Sequence, residues 1–129
     1  MVVVDSSIWI HYLRTPKTNI ASALQRLIDT NRALMVGVVF AEVLQGARSE
    51  RGYATLLPRL EAIPYQEMTR RTWASAGRLA LQLRTEGRLI PLTDMAVAAA
   101  ALEGEHEVFT LDEHFNRVPG LRLHTPTVH

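Results

Sequence analysis

Four acidic residues, each unremarkable alone, stand at points of the chain that one sheet edge could gather. Asp5 ends the run Val2-Val3-Val4, three β-branched residues without polar alternation. Glu42 lies amid Val39, Phe40, Val43 and Leu44, Asp94 opens the alanine-rich stretch that follows it, and Asp112 comes two residues after Glu107-Val108-Phe109-Thr110. Four carboxylates gathered in one crevice repel one another, and some must protonate unless a cation joins them. Mg²⁺ or Mn²⁺ takes oxygen ligands and removes the conflict. The sequence has no cysteine, and its histidines show no recognisable zinc spacing. A hard cation held this way acidifies a water and offsets charge on a leaving oxygen, which is the chemistry of phosphodiester hydrolysis. Read alone, Asp5 serves equally well as a helix cap ahead of Ser6-Ser7. Only convergence of the four acids decides the matter.

Convergence requires a parallel sheet, in which strand ends and following helix starts share one edge. The sequence supplies candidates. Val2–Val4 and Ala33–Val36 are apolar runs that fit strands covered on both faces. Ala62–Tyr65 predicts an edge strand carrying Pro64; Glu107–Thr110 and Leu121–His124 complete a set of five. Between them lie a short helix over Ile8–Leu13, an amphipathic helix over about 20–30, and a helix over about 39–47 that carries Glu42. Residues 48–52 read as a charged connector, and residues 53–60 as a helix that Pro58 interrupts or kinks. A long helix over about 70–86 turns Trp73, Ala76, Leu79, Ala80 and Leu83 inward. Residues 87–93 form a loop, and a last helix spans about 95–102 up to Gly104. Alternating helices and short apolar strands predict a three-layer α/β/α domain over residues 1–129 with a mostly parallel sheet.

Bulk composition narrows the classes further. Hydrophobic content of 47% and charged content of 21% are ordinary for a globular domain. No apolar stretch is long enough to span a bilayer, and Met1 runs directly into a strand, so a soluble cytoplasmic protein is expected. The absence of cysteine fits a reducing compartment. A net charge of +1 excludes a basic coat for nucleic acid. Thirteen arginines against one lysine supply bidentate phosphate partners without proving such a role.

Four ordered blocks carry a resemblance over nearly the whole chain. They are Val4-Asp5-Ser6-Ser7 with Trp9-Ile10; Ala41-Glu42-Val43-Leu44-Gln45-Gly46-Ala47-Arg48; Ile90-Pro91-Leu92-Thr93-Asp94 leading into Ala98-Ala99-Ala100; and Thr110-Leu111-Asp112-Glu113-His114-Phe115. Together they resemble the PIN domain, and within it the VapC-type toxic ribonucleases of toxin–antitoxin pairs. The resemblance implies metal ligation by Asp5, Glu42 and Asp94, with Asp112 serving a second metal or a bridging water. It implies that Ser6 and Thr110 hydrogen-bond these carboxylates. It further implies a five-stranded sheet of order 3-2-1-4-5, a homodimer, a cognate antitoxin joined in a larger hetero-oligomer, and a structured tRNA or rRNA substrate. One departure is Asp94-Met95-Ala96-Val97, where the family often carries bulkier aliphatics; it concerns helix packing and leaves the acid in place.

Other residues invite chemistry but have plainer readings. Of His11, His106, His114, His124 and His129, only His114 lies near the acids in sequence, and a structural or solvated role is expected for it. Trp9 and Trp73 are expected in the core or an interface rather than stacked on a base. Arg70, Arg71, Arg78 and Arg84 read as a solvated helix face, whereas Arg48 and Arg51, just past the Glu42 helix, are the candidates for RNA phosphates. A signalling receiver would need a basic residue ending its fifth strand, and the one lysine, Lys17, is misplaced for that. A haloacid-dehalogenase-type phosphatase would begin Asp-x-Asp, which Asp5-Ser6-Ser7 does not. A non-catalytic PIN-like binding module is the closer rival, although such a module would be expected to have lost acids that stand here.

Overall fold

A computed structural model describes residues 1–126; His129 and the end of the tail lie outside the described residues. The chain runs β1 (Val2–Val4), α1 (Ser6–Arg14), α2 (Asn19–Asp29), β2 (Ala33–Val36), α3 (Gly37–Gln45), α4 (Glu50–Glu61), β3 (Tyr65–Gln66), α5 (Arg70–Thr85), α6 (Leu92–Glu103) and β4 (Glu107–Phe109), then a 3₁₀ turn over Glu113–Arg117. The strands form one parallel sheet in the order β3-β2-β1-β4.

β1 is the axis of this sheet. Val2 and Val3 pair with Ala33 and Leu34 on one side, and Val2, Val3 and Val4 pair with Glu107, Val108 and Phe109 on the other. Side chains of successive strand residues point to opposite faces. Full burial of all three valines therefore requires cover on both faces, which is the expected three-layer arrangement. Each such side chain stabilises the fold by about 1.5–3 kcal/mol. The register matters for function, because Asp5, Gly37 and Thr110 leave the sheet at the same edge.

The fifth strand is reduced to a single parallel bridge between Val108 and Leu123. Val108 N–H donates to the Arg122 carbonyl and His124 N–H to the Val108 carbonyl, but pairing goes no further. β4 is only three residues long, and Pro126 offers no donor beyond. Order 3-2-1-4 thus stands, with Leu123 as the remnant of strand five. β3 falls at Tyr65–Gln66, later than expected, because the Pro64 carbonyl already accepts from Met35 N–H.

Two helices differ from expectation for identifiable reasons. α4 begins at Glu50, not Tyr53, because the Ser49 hydroxyl accepts from Gly52 N–H at 3.0 Å and so caps it. It also runs through Pro58 without ending. The carbonyl that Pro58 leaves unpaired belongs to Ala54, which is exposed and can be hydrated. α6 starts at Leu92 with Pro91 ahead of it, so Asp94 sits inside the first turn rather than before it.

α5 packs along α6, and its buried face is Thr72, Ala76 and Leu83, flanked by the half-buried Leu79 and Ala80. Trp73 is not inward: it is 45% exposed, one residue round from the buried Thr72. Thr72 is accepted inside because its hydroxyl donates to Glu103 Oε2 at 2.7 Å. Trp9 is buried as expected and meets Tyr12 edge to face. In α6 every residue from Met95 to Ala101 is buried, and the alanines let the helix lie close under β1 and β4. That close seat brings the first turn of α6, and Asp94 with it, to the edge where β1 ends. Among the described residues no helix is long and apolar enough to cross a membrane.

Candidate metal centre

Asp5 leaves β1 and enters α1 within one residue. Its backbone carbonyl accepts from Ile8 and Trp9 N–H, so the residue occupies the N-cap position, yet its side chain makes no capping bond. The cap alternative therefore fails for the carboxylate. Its Oδ2 accepts instead from the Ser7 hydroxyl at 2.8 Å and the Thr110 hydroxyl at 2.9 Å, and the residue is 4% exposed. No donor among the described residues reaches Oδ1.

The same hydroxyls tie the exit of β4 to β1. Leu111 N–H donates to Ser7 Oγ at 3.1 Å, and Asp112 N–H to Thr110 Oγ1 at 2.9 Å. Asp112 then accepts the His114 N–H on Oδ1 at 3.0 Å, which starts the 3₁₀ turn. One hydrogen-bonded chain thus runs from Asp5 to His114. Thr110 plays the part expected of it. Ser7 was expected only as helix-cap chemistry, and the signal that could have found it is its place opposite the expected end of β4.

Of the two roles expected for His114, structural or solvated, the first holds. Its Nδ1 lies 2.9 Å from Asp94 Oδ2 and 3.1 Å from Asp112 Oδ1, so it joins two of the acids rather than standing apart in solvent. One ligand atom from each of Asp94, Asp112 and His114 can be chosen so that all lie within 4.8 Å of one another. The Asp-x-His spacing on a tight turn is the local signal: the i+2 backbone bond curls the imidazole back over the carboxylate. The other described histidines are engaged elsewhere, His11 with Thr18, His106 with Gln66 and His124 with Glu107.

Glu42, in the second turn of α3, is half-buried and feels the other acids. Burial raises its pKa above the ordinary carboxylate value, Asp5 raises it further, a hydrogen bond from Ser6 opposes, and Asp94 adds to the rise. Asp94 is also raised, first by burial; the hydrogen bond from His114 opposes, while Asp112 and Asp5 push it up. His114 is raised, chiefly by its hydrogen bond to Asp94. All four acids are therefore within electrostatic reach of one another through Asp5 and Asp94. Mutual repulsion among oxygen donors, relieved in part by one imidazole, fits a site for a divalent cation. Arg48 and Arg51 are exposed, Arg48 just past the C-terminal end of α3 and Arg51 in the first turn of α4; Arg48 lines a groove with Ile10, Leu13 and Val43 that contains none of the four acids, and no described contact joins either arginine to them.

Comparisons with known proteins bear on the fold. Solved structures share the fold at low identity: a chain of the VapBC2 complex of Rickettsia felis bound to a promoter DNA fragment is 20% identical, with a TM-score of 0.82 over 98% of this chain and 100% of that one. A chain of the DNA-bound VapBC of Salmonella typhimurium is also 20% identical, with a TM-score of 0.82 over 95% and 96%. The Mycobacterium tuberculosis VapC20, described as a sarcin-ricin loop cleaving toxin, is 16% identical, with a TM-score of 0.70 over 97% and 100%. Among curated proteins none matches by sequence. The PIN domain model matches residues 2–121, nearly the whole chain, and the chain belongs to the PIN domain family.

Proposed function

We propose that this protein is a divalent-metal-dependent endoribonuclease of the VapC type, the toxic half of a cytoplasmic toxin–antitoxin pair, acting on structured RNA such as a tRNA or rRNA loop. What supports the proposal is that Asp94, Asp112 and His114 can each bring a ligand atom within 4.8 Å of the others, that the Thr110 hydroxyl joins Asp5 to Asp112, and that Asp5 and Asp94 both act electrostatically on the half-buried Glu42. The likeness to a VapC toxin that cleaves the sarcin-ricin loop, and to chains taken from VapBC complexes, supports the choice of substrate class and of an antitoxin partner. In this reading the protein works as a homodimer within a larger assembly with its antitoxin, as the family resemblance of the sequence implies.

In this reading Asp5, Glu42, Asp94 and Asp112 hold Mg²⁺ or Mn²⁺. The cation supplies an acidified water and offsets charge on the leaving oxygen when bound. Ser7 and Thr110 fix the Asp5 carboxylate so that it does not rotate away, and Ser6 stands near enough to Glu42 to lower its pKa. Arg48 and Arg51, on the exposed surface past α3, bind RNA phosphates away from the scissile bond without reading bases.

The test is cleavage of RNA by the purified protein with Mg²⁺ or Mn²⁺, and by Asp5→Asn and Asp94→Asn variants whose circular dichroism matches the parent. Both variants are expected to fall to background. Cutting by either at the parental rate would remove those residues from the mechanism. Sequencing RNA ends after induction in cells then identifies the cleaved loop.

A further inference from the structure

We infer that His114 is itself a metal ligand, completing with Asp94 and Asp112 a mixed nitrogen–oxygen set that favours Mn²⁺ over Mg²⁺. The inference rests on the metal-site reading above and adds a ligand that the acidic pattern does not contain. Nδ1 stands at nearly equal distances, 2.9 and 3.1 Å, from one oxygen of each acid. Neighbouring ligands of an octahedral ion with bonds of about 2.1 Å are about 3.0 Å apart, so these spacings already suit adjacent positions around one cation. The ring is also held there. His114 N–H is bonded to Asp112 Oδ1, and the next residue, Phe115, is 1% exposed and anchors the turn in the core. A side chain waving in solvent would have neither restraint.

The consequence is a bias in metal choice. Mg²⁺ demands oxygen donors and gives up its waters reluctantly, whereas imidazole binds first-row transition ions better. If His114 instead stays outside the coordination sphere and only orients the carboxylates, its loss should weaken every divalent ion alike.

Pulsed electron paramagnetic resonance of the metal-free full chain loaded with Mn²⁺ separates these cases. Wild type is expected to show a nitrogen bonded directly to Mn²⁺, changing its coupling when the protein is labelled with ¹⁵N-histidine. His114→Gln is expected to keep Mn²⁺ binding, lose the nitrogen signal, and show a Mn²⁺-over-Mg²⁺ affinity ratio lower by about tenfold. Asp94→Asn serves as the control for the site itself. Mn²⁺ binding that Asp94→Asn weakens, but that shows no nitrogen in wild type, overturns the role of His114 and leaves the acidic site standing. An unchanged affinity ratio in His114→Gln overturns it equally. Mn²⁺ binding indifferent to Asp94→Asn would bring down the metal-site reading and this inference together.

Discussion

Asp5 and Asp112 reach the same edge of the sheet by different means. Asp5 is the residue at which the most deeply buried strand ends; its backbone is held by Phe109 and its carboxylate by two hydroxyls. Asp112 stands on a turn outside the sheet, its side chain is 36% exposed, and its restraints are two local bonds, one to its own N–H and one to its Oδ1. The sheet positions the first acid, and the hydroxyl of Thr110 positions the second by reference to the first. A site built so has one rigid half and one adjustable half. Rigidity belongs where the charge is buried, because a buried carboxylate without donors is costly.

The largest effect is expected at the joint between the halves. Thr110→Val removes the donor to Asp5 Oδ2 and the acceptor for Asp112 N–H together. A cost of about 1–3 kcal/mol is expected, since the partners left behind are partly buried. Chemical denaturation should find it with an unchanged slope, and cleavage should fall as well. Ser7→Ala removes the other donor to Asp5 and the acceptor for Leu111 N–H, but Leu111 is exposed and its N–H can turn to water, so a smaller cost of about 1 kcal/mol is expected by the same measurement. If Ser7→Ala costs more than Thr110→Val, the joint has been put at the wrong hydroxyl.

Glu42 sharpens the comparison through pH. Its carboxyl is raised in the folded state by burial first and by Asp5 next. The folded protein therefore holds a proton that the unfolded chain has released, and the stability this lends is present below the ordinary glutamate range. It is lost as pH rises through the folded value. Glu42→Gln keeps a partner for Ser6 and removes the charge. In the absence of divalent ions its melting temperature at neutral pH should exceed that of wild type, the gain in unfolding free energy being no more than about 1 kcal/mol because the group is half exposed. Near pH 4 the two should converge, and saturating Mn²⁺ should reverse the order. A variant that melts lower than wild type at neutral pH would show that the acids do not repel one another.

How much of this was legible beforehand follows from the kind of interaction involved. β1, β2 and the buried face of α2 were readable because burial on both faces or on one stripe imposes a pattern on consecutive residues. The placing of Asp5 and Asp112 at one edge was readable because parallel strands end together. Trp73 and Thr72 were not, since adjacent helix positions at the rim exchange burial for exposure over a rotation smaller than the pattern resolves, and Thr72 is buried only by virtue of Glu103. Continuation of α4 through Pro58 depended on the exposure of Ala54, which no local propensity encodes. The contacts of Ser7 with Thr110 and Leu111, and of His114 with Asp94, were not legible because each joins residues distant in sequence.

The smallest effect on stability is expected at Asp112, and it is the one that tests the two-part design directly. Asp112→Asn keeps an oxygen able to accept the His114 N–H, and leaves its own N–H bonded to Thr110. The cost to stability should stay within about 0.5 kcal/mol, as for other half-exposed positions. The electrostatic consequence should be plainer. His114 is raised first by its hydrogen bond to Asp94, then by the charges of Asp112 and Asp94. Removal of one charge should lower its titration midpoint in a metal-free NMR titration toward the ordinary histidine value without reaching it, because the Asp94 bond persists. The stability that protonated His114 lends is present below about pH 6.5 and lost as pH rises through its folded value, so this window should narrow in Asp112→Asn. A midpoint that does not move would mean that Asp112 is screened by solvent from its neighbour. A stability loss as large as that of Thr110→Val would mean that the turn, no less than the strand, is part of the rigid half.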